Sequence, residues 1–387
     1  MRAGEASVIK PRFSLVVTNL ADGGAQRVML AFGREFALAG MMDQFYLLDP
    51  GGIAFKDEAA HVRPRGVLGP LGSRWLYPLC LPVLWFRLLL SRPDAVLSTL
   101  VLCNIITIIA TRLIPFGRPV VIIREATTLG ARYSGRGLLS RLLVRAAVLT
   151  YPLADIVIAP SEGVGDDLVR HVRVPVQKIH VLNNPAIPAD FEKLCKEPVA
   201  HAFFKEGRSP LFAAMGHLGP VKGFDTLLDA FAIVERERPD ARLLILGEGA
   251  DRALLERQIE QLGLSGKVDL AGFRQNPFPY LIKANVFVLS SRWEGSPNAL
   301  IQAMACGCTP VSTDCRSGPR EILNDGSLGY LVPVDDPEAL AEAMIFAADH
   351  PVPRERILER ARDFGHHKAF KALIEIYRAH AEEVAHG

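Results

Sequence analysis

Apolar residues in this chain fall into short continuous runs separated by longer stretches of helical periodicity. In the first half the runs are FSLVVTN, QFYLLD, DAVLS, PVVII, DIVIAPS and KIHVL. In the second they are PLFAAMG, ARLLILG, KVDLAG, NVFVLSS and TPVST. Runs that are apolar throughout predict parallel strands covered on both faces. Their alternation with helical patterns predicts doubly wound α/β sheets. The two series are separated by NNPAIPADFEKLCKEPVAHAFFKEGRSP, a proline-rich irregular stretch near residues 184 to 209. The pattern predicts two Rossmann-like domains, residues 1–190 and 191–365. A length of 387 residues is long for one core and comfortable for two. The last stretch, KAFKALIEIYRAHAEEVAHG, reads as a helix, and no short repeat interrupts the series.

One segment fits the scheme less simply. RWLYPLCLPVLWFRLLLSR, from Arg74 to Arg92, is strongly apolar but broken by Pro78, Pro82 and Arg87. It is too interrupted to span a bilayer. Two readings stay open: a core helix of the first domain, or an amphipathic helix dipping Trp75, Tyr77, Trp85 and Phe86 into a membrane interface. An apolar fraction of 49% leans toward the second. The net charge of +2 gives no reason to expect nucleic acid. The six cysteines have no paired zinc spacing and read as reduced, buried thiols of a cytoplasmic protein. The leader MRAGEASVIKPR has no apolar core, so a signal peptide is not expected.

The most informative chemistry lies in SSRWEGSPNALIQAMACGCTPVSTDCRSGPREIL, from Ser290 to Leu323. It reads as a strand end, a loop, a helix start and a return to a buried strand. Glu294 precedes the helix, Ser296 is the expected N-cap, Pro297 suits the first helical position, and Gly307 stops the helix. The unpaired N–H groups of such a helix start suit a diphosphate. Gln302 sits roughly 8 Å further along the axis, at about 1.5 Å per residue. A carboxylate, a helix start and a polar side chain could therefore meet a sugar, a diphosphate and a ribose in that order.

This segment resembles the signature of retaining family 4 glycosyltransferases of GT-B fold, in which a Glu is followed by seven residues and a second Glu. Glu294 holds the first position and Gln302 the second. The resemblance covers nearly the whole chain and is strongest from Leu211 to Leu323, particularly to bacterial surface-polysaccharide and lipid-linked-glycan members. It implies two facing Rossmann-like domains, with the closing helix, residues 366–387, crossing back to the first. It also implies that Glu294 faces the transferred sugar, that Gly295, Ser296, Asn298, Ala299 and Leu300 supply backbone near the diphosphate, and that Gln302 meets the ribose hydroxyls, which an amide can both accept from and donate to.

Ligands of open α/β sheets bind beyond the carboxyl ends of the strands, so the other loops there matter as well. Gly23 and Gly24 follow the first strand, without the Gly-x-Gly-x-x-Gly spacing of a dinucleotide site. By resemblance they form the GGAxR loop that meets the donor diphosphate and acceptor. Gly216 ends a later strand, and Lys222 follows it as a cation able to reach phosphate; His217 stands where the family usually has Arg. Gly247 opens a tight loop that in the family lies beside the nucleoside. Phe273, Arg274 and Gln275 follow another strand, where the family's backbone pairs with the base edge; core packing of Phe273 stays open beside this. Arg124 and Glu125 occupy the place where many relatives carry a His. Arg124 could hold a phosphate or acceptor and Glu125 could orient or deprotonate an acceptor hydroxyl, or the two could form a buried ion pair. Arg132, Arg136, Arg141 and Arg145 follow, as a solvated helix face or a meeting point for membrane or lipid phosphates.

The sequence thus predicts a retaining glycosyltransferase. Its donor would be a nucleotide-diphosphate sugar, by resemblance a UDP-sugar. Its acceptor would be a glycan or a polyprenyl-diphosphate-linked glycan. Glu294, Lys222, Glu125 and Arg124 are the candidate catalytic residues. No metal and no cofactor is expected, since the family does not usually need one. The expected location is cytoplasmic, with peripheral contact to the inner face of the membrane. Two rivals differ in what they would do with the donor. A non-catalytic nucleotide-sugar-binding protein would bind it without turnover, and an epimerase or hydrolase would consume it without an acceptor.

Overall fold

The computed structural model describes residues 10–21, 23–51, 59–69, 76–130, 137–204 and 210–386. Arg74, Trp75, Arg132 and Arg136 therefore lie outside the described residues. All eleven expected strands form. The first series gives β1 (Phe13–Val17), β2 (Met42–Leu47), β3 (Arg65–Gly66), β4 (Ala95–Thr99), β5 (Val120–Arg124), β6 (Ile156–Ala159) and β7 (Ile179–Val181). They pair in the order β3-β2-β1-β4-β5-β6-β7, parallel at every junction. The second gives β8 (Leu211–Met215), β9 (Arg242–Leu246), β10 (Val268–Gly272), β11 (Val286–Leu289), β12 (Thr309–Thr313) and β13 (Tyr330–Val332). Their order is β10-β9-β8-β11-β12-β13, again all parallel. Each sheet reverses its winding once, between β1 and β4 and between β8 and β11. Those reversals are where such sheets open a ligand crevice.

The pattern did not announce β3 and β13. Both are edge strands of two or three residues, too short to carry a hydrophobic run. The central strands are legible because they are buried on both faces, as in β1 and β4, where every residue is buried.

Contacts divide the chain into two units. Unit 1 comprises residues 1–160, 164–182 and 370–387; unit 2 comprises 161–163 and 183–369. The closing helix, His366–His386, begins in unit 2, and its residues from Phe370 onward belong to unit 1. There Tyr377 meets Phe13 edge-on at 4.9 Å between centroids, and Phe370 meets Phe36 at 5.1 Å. Phe13 and Phe36 stack on each other at 4.4 Å.

The apolar segment before β4 forms the helix Tyr77–Ser91, with Pro82 inside it. One side of it fits the core reading and the other is exposed. Cys80, Leu84 and Leu88 are buried. Leu79, Phe86 and Leu90 are 54%, 53% and 68% exposed. Trp85 departs from the interfacial reading: its indole N–H donates to the Leu113 carbonyl at 3.2 Å, and the ring packs at the edge of the core. Among the described residues, no helix is long and apolar enough to cross a membrane.

All six cysteines are free, and five are buried. Burial pushes the Cys80 thiol up to about 11 and those of Cys308 and Cys315 up to about 12. It raises Cys195 as well, and Cys103 and Cys306 further still. A protonated thiol is a poor nucleophile. With Ellman's reagent at pH 8, the native protein should therefore react far more slowly than the guanidinium-unfolded protein, which should release all six equivalents. Rapid reaction of several native thiols would contradict this burial.

Candidate functional site

The carboxyl-end loops of unit 2 are joined backbone to backbone. Gly216 N–H donates to Leu246 at 3.0 Å, Leu218 N–H to Glu248 at 2.9 Å, and Gly247 N–H to Gly272 at 3.0 Å. The loops after β8, β9 and β10 therefore form one ledge. The glycines of this ledge serve the backbone directly. Gly247 has φ +150°, and a side chain there would run into the Gly216 carbonyl. A side chain at Gly249 would meet Leu218 in the same way. The tightness of the GEG loop thus comes from two backbones in contact.

Lys222 and Glu294 meet across this ledge. Lys222 Nζ lies 2.6 Å from Glu294 Oε1, and the two side chains are 21% and 11% exposed. Ser291 donates to the same carboxylate oxygen at 2.7 Å. Gly216 leaves room for the lysine stem, since an added Cβ would sit 3.1–3.3 Å from its methylenes. Gly223, at φ +59°, caps the helix Phe224–Glu237 and lies against the Ser290 carbonyl, where any side chain would collide. Ser290 Oγ in turn donates to the Lys222 carbonyl at 2.8 Å.

Arg292 ties these loops together, and sequence reasoning missed it. Its Nη2 bonds Asp225 at 2.7 Å, its Nε bonds Asp335 at 2.7 Å, and its Nη1 donates to the Pro220 carbonyl at 2.6 Å. Its backbone N–H donates to Val221 at 2.8 Å. Burial opposes the Asp225 charge, but the Arg292 bond and charge outweigh it and hold that carboxyl below the usual range. The signal available was an arginine two residues before Glu294, with acids far before and far after it in sequence.

The helix after Glu294 starts later than expected. It runs Asn298–Cys306, with Pro297 at the N-cap and no side-chain cap; Gly307 ends it at φ +81°. Ser296 is not the cap. The Gly295 carbonyl accepts from Ser161 at 2.7 Å and from Ser317 at 3.1 Å, and Asn184 approaches the Ser296 carbonyl at 3.4 Å. These bonds hold the chain extended up to Pro297. Asn184 also donates to Asn298 Oδ1 at 2.8 Å. Leu300 N–H turns back to the Pro297 carbonyl at 3.1 Å. Gln302 is 8% exposed and donates to the Ala186 carbonyl at 3.2 Å. Ala299 follows Asn298 in the first turn.

The remaining candidates in unit 2 line the same ledge. His217 is exposed after β8. Phe273 is half-buried, and Arg274 and Gln275 are exposed after β10. The Arg274 guanidinium lies 5.5 Å from the Tyr280 ring centroid, a cation–π contact.

In unit 1, Gly23 is the extended N-cap of the helix Gly24–Leu38. Arg124, at the end of β5, is 2% exposed, and the adjacent Glu125 is fully buried. Glu125 accepts from Tyr151 at 2.7 Å and from the Ala126 N–H at 3.0 Å. Asn104 links Tyr151 to the Arg124 carbonyl at 3.1 and 3.2 Å. Burial lowers Arg124 to about 10, partly offset by Glu125, so it stays protonated at neutral pH. Both oxygens of Glu125 are thus engaged in a buried network.

Two doubly wound parallel sheets, the second with its carboxyl-end loops joined into a ledge, define a Rossmann-type, GT-B class of protein. Residues 198–364 match the family described as glycosyl transferases group 1, and residues 22–189 match glycosyltransferase family 4. The chain belongs to this glycosyltransferase family. It is 32% identical over 224 residues to the N-acetylgalactosamine-N,N'-diacetylbacillosaminyl-diphospho-undecaprenol 4-alpha-N-acetylgalactosaminyltransferase of Campylobacter jejuni, covering 58% of this chain and 59% of that one. It is 35% identical over 156 residues to the lipopolysaccharide core biosynthesis glycosyltransferase LpsE of Rhizobium meliloti, covering 40% and 44%. The chain spans less than two thirds of the length of these curated relatives. Among solved structures, HepE of Anabaena with UDP and glucose superposes with a TM-score of 0.77 at 17% identity, over 95% of this chain and 99% of that one. Sucrose-phosphate synthase of Thermosynechococcus elongatus gives 0.76 at 20% identity, over 96% and 99%. At such identities the likeness is one of fold.

The ledge can be tested through its glycines. Gly247→Ala forces a side chain into the Gly216 carbonyl, whereas Gly263→Ala, at φ +71°, meets open space. Left-handed strain alone costs roughly 1–3 kcal/mol. Gly247→Ala should lower the melting temperature clearly more than Gly263→Ala. Equal losses would mean that the close loop contact contributes nothing.

Proposed function

We propose that this chain is a retaining glycosyltransferase that moves a sugar from a nucleotide-diphosphate sugar, a UDP-sugar, to a glycan or polyprenyl-diphosphate-linked acceptor in surface polysaccharide or glycoconjugate synthesis. The observation that carries this reading is the Lys222–Glu294 pair, set between the ledge and the start of the helix Asn298–Cys306. The named activities of the Campylobacter and Rhizobium relatives support the acceptor class. The UDP and glucose in the HepE structure support the donor class.

In this mechanism Lys222 and the helix start stabilise negative charge developing on the leaving diphosphate. Lys222 is held by Glu294 in the absence of donor, so the diphosphate competes with Glu294 for it. Donor binding then releases the carboxylate toward the sugar. The bond from the anomeric carbon to the diphosphate oxygen breaks, and the acceptor oxygen attacks from the same face. The acceptor proton passes to the departing diphosphate. No metal or cofactor is required, because protein groups meet the leaving-group charge.

A second reading has a specific observation behind it. Gln302 donates to the Ala186 carbonyl from a buried position, and the exposed His217 stands where the family usually has Arg. A weakened ribose and diphosphate grip suits a non-catalytic nucleotide-sugar-binding protein. Calorimetric titration with UDP, GDP and their sugars, followed by product analysis, separates the readings. The expected result is selective UDP-sugar binding with transfer, and Glu294→Ala should abolish transfer while nucleotide binding persists. Lys222→Ala should weaken both. Transfer at near wild-type rate by Glu294→Ala would remove Glu294 from the mechanism, and binding without turnover by the wild type would leave the non-catalytic reading.

The same proposal puts the protein on the cytoplasmic face of the membrane. Leu79, Phe86 and Leu90 form one exposed stripe on the helix Tyr77–Ser91. Leu138, Leu142 and Leu149 form another on the helix Leu138–Thr150, beside exposed Arg141 and Arg145. Both helices pack on the helix Val101–Arg112, and the loop after it exposes Leu113 and Phe116. Apolar stripes beside arginines suit the interface of an anionic bilayer. Replacing Phe86 and Leu90 together with Ser should reduce cosedimentation with anionic liposomes and leave the far-UV circular dichroism unchanged. Undiminished cosedimentation would discard this surface.

A further inference from the structure

Unit 1 contains a cavity of about 730 Å3 at the edge of its sheet, beside the helix Tyr77–Ser91. It is lined by Gln44, Tyr46, Arg65, Arg87, Leu90 and Ser91, with Pro50, the glycine that ends β3 and Gly69 completing the rim. Gln44 and Tyr46 lie two residues apart on β2 and so share one face. Arg65 stands opposite Tyr46 in the β2–β3 ladder. The Arg87 guanidinium lies 5.7 Å from the Tyr46 ring centroid. Arg65, Arg87 and Ser91 thus surround Tyr46. Burial raises its pKa and Asp43 adds to this, while Arg87, the nearby Ser91 hydroxyl and Arg65 act in the opposite direction.

Among the described residues, the cavity lining carries two cations and no carboxylate. Among the described residues, neither Arg65 nor Arg87 takes part in an ion pair. Asp43, the carboxylate that acts on Tyr46, is engaged by Ser14 at 2.7 Å and by Arg12 at 3.3 Å. Two guanidiniums lining one cavity repel each other, and an anion between them offsets that cost. Their planar forks match phosphate oxygens two at a time. The hydroxyls of Tyr46 and Ser91 and the amide of Gln44 offer further donors, and Leu90 gives one wall an apolar edge. The volume lies within the range of ordinary ligand pockets, roughly 300–1,000 Å3.

We propose that this cavity is a phosphate-binding site, in which Arg65 and Arg87 clasp a phosphate or diphosphate group and Tyr46, Ser91 and Gln44 hydrogen-bond to it. The ligand is phosphorylated, either a lipid headgroup or a soluble phosphate compound. The site belongs to unit 1 and stands whether or not the unit 2 ledge acts on a nucleotide sugar.

The test keeps the two anion sites apart by starting from full-length Lys222→Ala protein, in which the ledge has lost its cation. Inorganic pyrophosphate is titrated by calorimetry at low salt into this protein and into the same protein carrying Arg65→Gln and Arg87→Gln. Binding should be present in the first and weakened at least about tenfold in the second, the loss expected when a charged hydrogen-bonding partner is removed. Melting temperatures should agree within about 2 °C. Equal binding in the two proteins, or none in Lys222→Ala, would overturn the site. Should the combined variant fail to fold, Arg87→Lys, which keeps the charge but loses the fork, must weaken pyrophosphate binding for the proposal to stand. Cosedimentation with phosphatidylglycerol and phosphatidylcholine vesicles identifies the source. Loss of phosphatidylglycerol binding in the arginine variants assigns a lipid headgroup; unchanged vesicle binding with lost pyrophosphate binding assigns a soluble phosphate.

Discussion

Arg292 holds unit 2 in working order. Its guanidinium bonds two carboxylates and a carbonyl that come from the helix after β8, the loop after β13 and the turn before Lys222. A planar group with five donors in a fixed fork is suited to such a junction. With it in place, the turn bearing Lys222 lies against the strand end bearing Ser290, Ser291 and Glu294. The Lys222–Glu294 pair follows from this placement. Two exposed loops carrying those residues without the junction would gain little from the pair itself, because screened ion pairs are weak.

The glycines supply the other half of the geometry. At Gly216 the missing side chain makes room for the stem of Lys222. At Gly223 and Gly247 it lets one loop backbone rest on another. A glycine-rich loop in a sequence suggests that a ligand comes close, yet here much of that closeness is between parts of the protein. Each loop of the ledge is thereby held in place by its neighbour.

Most of the fold could be read from the pattern because strands covered on both faces have no polar side to disguise them. The edges were lost: β3 and β13 are too short to carry a pattern. Within the motif from Ser290 to Leu323, Glu294 and the Gly307 stop could be read locally. The cap could not. Ser296 followed by proline is a good local start, but Asn184 and Ser161, more than a hundred residues earlier, hold the chain extended one residue further. Arg292 was missed for the same reason, since Asp225 and Asp335 are distant in sequence and nothing in their neighbourhoods marks them as partners. The buried Asn104–Tyr151–Glu125 network likewise joins three separate elements.

The helix His366–His386 affects how the chain reaches its native state. Phe370, Leu373 and Ile374 are buried, and Tyr377 closes on Phe13, a residue near the opposite end of the chain. Unit 2, apart from three residues, is one continuous stretch. On the ribosome its core can assemble as soon as its last strand and helices emerge. Most of unit 1 precedes unit 2 along the chain but lacks its last aromatic and aliphatic side chains until the helix His366–His386 is made. The unit begun first is therefore completed only after the core of the other has been made.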